Sequence, residues 1–354
     1  MNFSDIKKIY EGKRVFITGH TGFKGSWLSL LLHMAGADVI GYALPPKVPN
    51  NLFNTLNLDK KIQHNIGDIR DLDKLSKTLN NFNPEYVFHL AAQALVIDSY
   101  DDPVLTYSSN VLGAVNLLES VRISNSVRSL VYVTSDKCYE NQEWVWGYKE
   151  SDLLGGHDPY SSSKAAAEIV FSSYKRSFFD ISDSLGAASA RAGNVIGGGD
   201  YSDNRIIPDC IKAINLNQSV ILRNPYSTRP WQHVLEPLSG YLLLASKLLE
   251  DSKHYGGAWN FGPSTGDVKT VKQVADLLYQ HIGKGTVKVE NLNTLQHEAN
   301  VLQLNCDKAH HLLGWYPRWN ADETIRETAF WYKAMLSGDN LEVITKSQIL
   351  KFFG

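Results

Sequence analysis

Tyr160 and Lys164 stand four residues apart in Tyr160-Ser161-Ser162-Ser163-Lys164, a spacing that puts a phenol and an ammonium on one face of a helix. A free tyrosine titrates near ~10, too high for a base at neutral pH. A neighbouring cation favours the phenolate, so the pair could exchange a proton with a substrate hydroxyl. Upstream, Thr134-Ser135-Asp136-Lys137-Cys138-Tyr139 ends a β-rich run and sets a hydroxyl, a carboxyl and an ammonium side by side. A strand-end aspartate such as Asp136 can cap its own turn. Lys137 could carry a proton only while neutral, which needs partial burial or a like charge such as Lys164. Otherwise it would polarise a carbonyl.

Gly19-His20-Thr21-Gly22-Phe23-Lys24-Gly25 follows the first β-rich run and opens a helical pattern. Glycines there let backbone N–H groups approach a pyrophosphate, which then lies at the positive end of the helix. Between a strand and a helix of one βαβ unit, this turn signals dinucleotide binding. An acidic residue that would bond the adenosine ribose is expected about 20 residues further on, but Gly41-Tyr42-Ala43-Leu44 stands there. That position therefore does not decide NAD over NADP. Lys24 could meet a 2′-phosphate or remain a solvated loop lysine.

These groups need a scaffold, and the first half of the chain supplies one. Arg14–Thr18, Asp38–Ala43, Tyr86–Leu90 and Leu130–Thr134 read as short buried strands. Ser26–Met34, Asp71–Leu79 and Pro103–Arg122 read as helices between them, with Pro103 suited to a first turn. Strand and helix in alternation predict an α/β fold, a Rossmann-type doubly wound parallel sheet. From about Gly193, Pro208, Pro225, Pro230, Pro237 and Pro263 break the pattern, and helical spacing returns at Pro237–Leu249, Val271–His281 and Ala321–Met335. The expected organisation is a dinucleotide-binding domain over 12–193, with 231–262 returning to it. A smaller substrate domain takes 194–230 and 263–338, and 339–354 is a loosely held tail.

Composition excludes several classes. A formal net charge of −2 with dispersed signs lacks the basic field of a nucleic-acid binder. The charged N-terminus has no signal-peptide core, and no apolar stretch is long enough to span a bilayer. Cys138, Cys210 and Cys306 lie far apart, without zinc spacing, which fits incidental thiols in a reduced cytoplasm. A cytoplasmic enzyme without a metal is expected.

The GxxGxxG turn followed by YxxxK resembles the extended short-chain dehydrogenase/reductase superfamily. TSDKCYEN, EWVWGYKE, RAGNVIGGGD, RNPYSTRPWQHVLEPLSGYLLL and WNFGP resemble its CDP-glucose 4,6-dehydratase family, from about Gly12 to Gly338. In that family Asp-Lys stands where other sugar-nucleotide 4,6-dehydratases carry Asp-Glu, and plain epimerases carry small or neutral residues. The resemblance implies catalysis by Ser135, Asp136, Lys137, Tyr160 and Lys164. It places NAD against Gly19, Thr21, Gly22, Phe23, Lys24, Gly25, Asp68, Ile69, Leu90, Ala91, Ala92 and Gln93, with Tyr160 and Lys164. It places CDP-glucose against Gln93, Asn194, Arg205 and Arg229, a planar guanidinium suiting diphosphate oxygens. Where many relatives carry a second phosphate-binding arginine, this chain has His297-Glu298-Ala299. Trp144, Trp146 and Tyr148 either wall the sugar pocket or pack. The implied reaction is loss of water from the sugar, by a homodimer or homotetramer paired through helices 103–122 and 160–178. A 4-epimerase or reductase on the same scaffold is the rival. A non-catalytic NAD(P)H sensor would have no need of Ser135, Tyr160 and Lys164 together.

Overall fold

The computed structural model describes every residue except 47, 49, 182, 183, 223, 265 and 291–300. Its centre is a seven-stranded sheet. The strands in chain order are β1 (Arg14–Thr18), β2 (Asp38–Ala43), β3 (Gln63–Ile66), β4 (Tyr86–His89), β5 (Ser129–Val133), β6 (Gly186–Ala192) and β7 (Gly257–Phe261). Their spatial order is β7-β6-β5-β4-β1-β2-β3, and every pairing is parallel. This is the doubly wound sheet expected, with β3, β6 and β7 added to the four strands read from the sequence.

Side chains alternate between the faces, as a pleated strand requires. Val15, Ile17, Phe88, Val131, Val133, Ala188 and Ala190 face one core, and Phe16, Val87, Leu130, Tyr132 and Ala187 face the other. The strand order reverses between β1 and β4, and an open α/β sheet binds ligands in the crevice at the carboxyl ends beside such a reversal. Thr18 ends β1 and His89 ends β4, and Thr18 Oγ1 lies 2.7 Å from His89 Nδ1.

Helices Phe23–Met34, Leu72–Phe82, Gly113–Arg122 and Pro159–Tyr174 cover the sheet. Past Gly193 the chain forms three short strand pairs: Val195–Ile196 with Gln232–His233, Thr228–Arg229 with Lys269–Thr270, and Ser219–Leu222 with Thr286–Val289. Helix Leu235–Glu250 returns onto β5 and β6. The segment expected as a loose tail is instead helix Leu341–Phe353, capped by the Asn340 side chain, with Ile349, Phe352 and Phe353 buried. Its order comes from docking: the Phe352 ring meets Trp319 edge-on at 4.9 Å, and Arg318 Nη1 donates to the Phe352 carbonyl at 2.7 Å.

Candidate active site

Five loops at the carboxyl ends of the strands bring the candidate residues together. The glycine turn leaves β1. Gly19 has φ +76°, the left-handed region, and a Cβ there would lie 2.7 Å from the Ala91 amide nitrogen. A Cβ at Gly25 would collide with the Gly19 carbonyl oxygen. The helix that follows begins at Phe23 with neither a side-chain cap nor an acidic residue in its first turn. The bare helix end and the narrow glycine cradle fit a pyrophosphate. Leu90 and Ala91, after β4, donate their amides to Thr18 Oγ1 at 3.2 Å, which holds the next turn against the same crevice.

Not every expected contact points into the crevice. Asp68, after β3, is bonded by Arg70 through its backbone amide at 2.9 Å and its guanidinium at 2.6 Å. That bonding holds the Asp68 carboxyl below its usual range. Ile69 is buried beneath Gly113. Gln93 donates its amide to the Leu95 carbonyl and Thr106, and accepts from the Leu95 N–H, so its side chain shapes its own turn. Thr21 Oγ1 donates to the Leu44 carbonyl.

β5 delivers Ser135 and the turn Asp136–Cys138. Ser135 Oγ donates to Asp136 Oδ1 at 3.0 Å, and the Lys137 amide donates to Ser135 Oγ at 3.2 Å. Asp136 is 3% exposed, so burial pushes its carboxyl above the ordinary range; Lys137, Ser135, Lys24 and Arg229 offset this only in part. Its Oδ2 is buried with no hydrogen-bond partner, against Gly193.

Asp158 caps the helix that carries Tyr160 and Lys164, accepting the Ser161 amide at 2.9 Å, and Pro159 fills the first turn. Lys164 Nζ lies 5.8 Å from the centre of the Tyr160 ring. Burial pushes Tyr160 up to about 12, against the pull of Ser135 and Arg205. Burial pushes Lys164 down to about 8.

Lys24 is no solvated loop lysine. It is half-buried, and withdrawal from water, with Arg205 and Lys164 nearby, pushes its ammonium down to about 8. Its charge is felt among Arg205, Lys164 and Asp136. Arg229 is buried on its short strand, its charge felt by Asp136. Arg205 pairs with Asp200 at 2.9 Å and its charge reaches Tyr160. Asn194 follows β6, its carbonyl accepting the Gln232 amide at 3.0 Å. A cavity of about 300 Å³ lies between Trp146, Gly193, Pro230, Pro263 and Gln303. Of the three aromatics only Trp146 lines this cavity; the Trp144 ring lies tilted against both Trp146 and the buried Tyr148. His297-Glu298-Ala299 lies outside the described residues.

Sequence reasoning missed two side-chain pairs near this cluster. Glu168 and Arg191 are buried against each other at 2.8 Å, directly behind Lys164 and Thr134. The signal for Glu168 was its position four residues after Lys164, which places it on the same helix face. His20, inside the glycine turn, meets His64 at 2.6 Å, a pairing no local pattern announces. Among the described residues no group of histidine, cysteine and acidic side chains could hold a metal, and no helix is long and apolar enough to cross a membrane.

A family model described as GDP-mannose 4,6 dehydratase matches residues 16–328. The chain is 48% identical over 347 residues to the CDP-glucose 4,6-dehydratase of Salmonella typhimurium, covering 97% of each. It superposes on a Thermus thermophilus UDP-glucose 4-epimerase in complex with NAD with a TM-score of 0.74 and 26% identity, covering 90% of this chain and 98% of that one. A dTDP-glucose 4,6-dehydratase of Streptomyces venezuelae shares the fold at a TM-score of 0.78 and 22% identity, over 92% and 98% of the two chains. The glycine turn, the Ser-Asp-Lys strand end and the Tyr-x-x-x-Lys helix are thus parts of a chain that belongs to the GDP-mannose 4,6-dehydratase family.

Proposed function

We propose that this protein converts CDP-D-glucose into CDP-4-keto-6-deoxy-D-glucose and water. The observation that carries the reading is Asp136, a buried carboxyl whose charge is felt by Tyr160, with one oxygen bonded to Ser135 and the other unpartnered. An epimerase has no water to expel and no use for such an acid. The 48% identity to a CDP-glucose 4,6-dehydratase supports the same substrate.

NAD fits the cradle of Gly19, Gly22 and Gly25, with Leu90–Ala92 lining the crevice; when bound, it supplies a two-electron acceptor that is regenerated within the cycle. Tyr160, as phenolate, takes the C4 hydroxyl proton, and Ser135 hydrogen-bonds the same oxygen. Lys164 stabilises the phenolate. Arg229 and Asn194 hold the diphosphate, and Arg205 and the loop 197–200 frame the nucleotide. Once C4 is a ketone, the C5 proton is acidic. Asp136, whose neutral form burial favours, gives a proton to the departing C6 hydroxyl. Lys137 lies on the same turn and handles the C5 proton. Residues 194–230 and 263–338 form the substrate-binding portion. The protein works in the cytoplasm as a homo-oligomer, at least a dimer.

Incubation with CDP-, dTDP-, GDP- and UDP-glucose tests this. The CDP sugar should yield a 4-ketosugar that absorbs in alkali. A 4-epimerized sugar without ketosugar, or turnover confined to another nucleotide, would overturn it.

A further inference from the structure

We infer that the buried Glu168–Arg191 ion pair positions the reacting groups and balances the charge beside the Tyr160–Lys164 pair. Glu168 lies one helical turn beyond Lys164 on the helix Pro159–Tyr174. Its Oε1 accepts the hydroxyl of Thr134, and its Oε2 accepts Ser189 Oγ and Arg191 Nη2, each at 2.8 Å. Arg191 Nη1 donates to Tyr139 Oη at 2.7 Å and to the Glu150 carbonyl at 3.1 Å. The guanidinium also lies 4.9 Å from the Tyr139 ring centre, and Tyr139 donates on to Asn260 of β7 at 2.8 Å.

Each member adjoins a reacting group. Thr134 immediately precedes Ser135, Tyr139 ends the turn that bears Asp136 and Lys137, and Arg191 leads into Gly193 and Asn194. One carboxylate therefore fixes the helix of Tyr160 and Lys164 against the ends of β5 and β6. A pair whose side chains are 4% and 2% exposed is a poor source of stability, because desolvation offsets its attraction. Fixing relative position is the role the geometry leaves to it.

Charge is the second half of the argument. Lys164 faces Glu168 on its own helix, Cys138 on the turn after β5, His89 at the end of β4 and Lys24 on the helix after β1. Burial holds His89 neutral, down to about 3, and keeps Cys138 a thiol, so the charged neighbours are Lys24 and Glu168. Tyr160 faces Ser135, Asp136, Arg205 and Asp158. Burial opposes the Arg191 charge, but Glu168, with smaller help from Cys138 and Tyr139, keeps the guanidinium protonated. Glu168 supports the Lys164 ammonium, and the guanidinium paired with it offsets part of that carboxylate's charge. Without the carboxylate, Arg191 becomes an unbalanced cation behind the site. That disfavours the Lys164 ammonium and favours the Tyr160 phenolate, so both ionisations move to lower pH.

The test compares full-length wild type, Glu168→Gln, Glu168→Asp and Glu168→Gln/Arg191→Met. Two readouts are followed: the pH profile of kcat/KM for ketosugar formation, and the tyrosinate absorbance of Tyr160, taken as the difference from Tyr160→Phe. In Glu168→Gln, kcat should fall about tenfold or more with KM little changed, and both profiles should move down by at least ~0.5 pH unit. Glu168→Asp should keep the wild-type position. The double variant should return to that position while kcat stays low, since charge is rebalanced and geometry is not restored. A Glu168→Gln profile that loses height without moving overturns the inference. If Glu168→Gln does not fold, the double variant decides, and wild-type kcat in it overturns the inference. The inference rests on Tyr160 and Lys164 as the acid–base pair. Near-normal turnover in Tyr160→Phe would sink that reading, whereas a Tyr160→Phe slowed by at least ~100-fold with an unmoved Glu168→Gln profile would sink the inference alone.

Discussion

Ser135 Oγ donates to Asp136 Oδ1 at 3.0 Å, while the second carboxyl oxygen of Asp136 is buried without a partner. A neutral carboxylic acid keeps its proton on the free oxygen, where it is available to a leaving hydroxyl. Asp136→Asn holds the shape and removes that proton. It should still let the C4 hydroxyl be oxidised but slow the loss of water. Reduced-nicotinamide absorbance should therefore build up on adding CDP-glucose, with little ketosugar released. Product at the wild-type rate, or no absorbance change at all, would remove Asp136 from the elimination step.

Tyr160 is held up to about 12 by burial, and Ser135 and Arg205 offset this only in part. Tyr160→Phe should keep the fold, as judged by an unchanged melting temperature, and lose at least ~100-fold in kcat, the scale of acid–base catalysis. Near-normal turnover would assign the C4 proton to another group.

The sequence exposes the parts of this site that local chemistry dictates and conceals those that tertiary packing makes. The limits of β1 and β2 are the expected ones because β-branched and aromatic residues fill them. β6 reads Gly186-Ala-Ala-Ser-Ala-Arg-Ala192, poor in strand formers, and is a strand because both its faces are covered. Tyr160 and Lys164 announce themselves by spacing along one helix. Glu168 and Arg191 are 23 residues apart on different elements, so their contact has no local signature. Lys24 looks like a loop lysine until the fold sets it beside Lys164 and Arg205. The C-terminal helix was missed for the same reason, since its order depends on Trp319 and Arg318.

Helix Pro159–Tyr174, the turn Lys175–Phe179 that continues it and the segment 103–122 leave apolar side chains on the outside. Val104, Leu112, Ile169 and Phe178 are 78%, 50%, 59% and 45% exposed. Tyr107 Oη and Ser162 Oγ, 2.5 Å apart, join the two segments into one surface. Pairing that surface with a second copy would bury it as a four-helix bundle. Light scattering at micromolar concentration should therefore give at least a dimer, and Ile169→Lys should shift the population toward monomer. A monomeric wild type would refute the pairing.

Glu236 offers a test of stability against pH. It is fully buried in the first turn of helix Leu235–Glu250, where its carboxylate accepts the Trp319 amide at 2.7 Å and the Arg318 amide at 3.0 Å. Arg318 in turn donates to the carbonyls of Phe352 at 2.7 Å and Met1 at 2.6 Å, so this one carboxyl secures the loop that holds both chain ends. Burial pushes Glu236 up to about 7, and the two amides and Arg318 offset this only in part. Its ordinary value is 4.5. Between those limits the folded chain keeps a proton that the unfolded chain has released. The contribution is therefore fully present below the unfolded value and is lost as pH rises through about 7; at its full extent it is on the order of 3 kcal/mol. Gln at this position keeps an acceptor for the Trp319 amide and no longer titrates. The melting temperature of wild type relative to Glu236→Gln should thus fall steadily from about pH 5 to about pH 8. A difference that stays constant across that range would show that Glu236 does not change its protonation on folding.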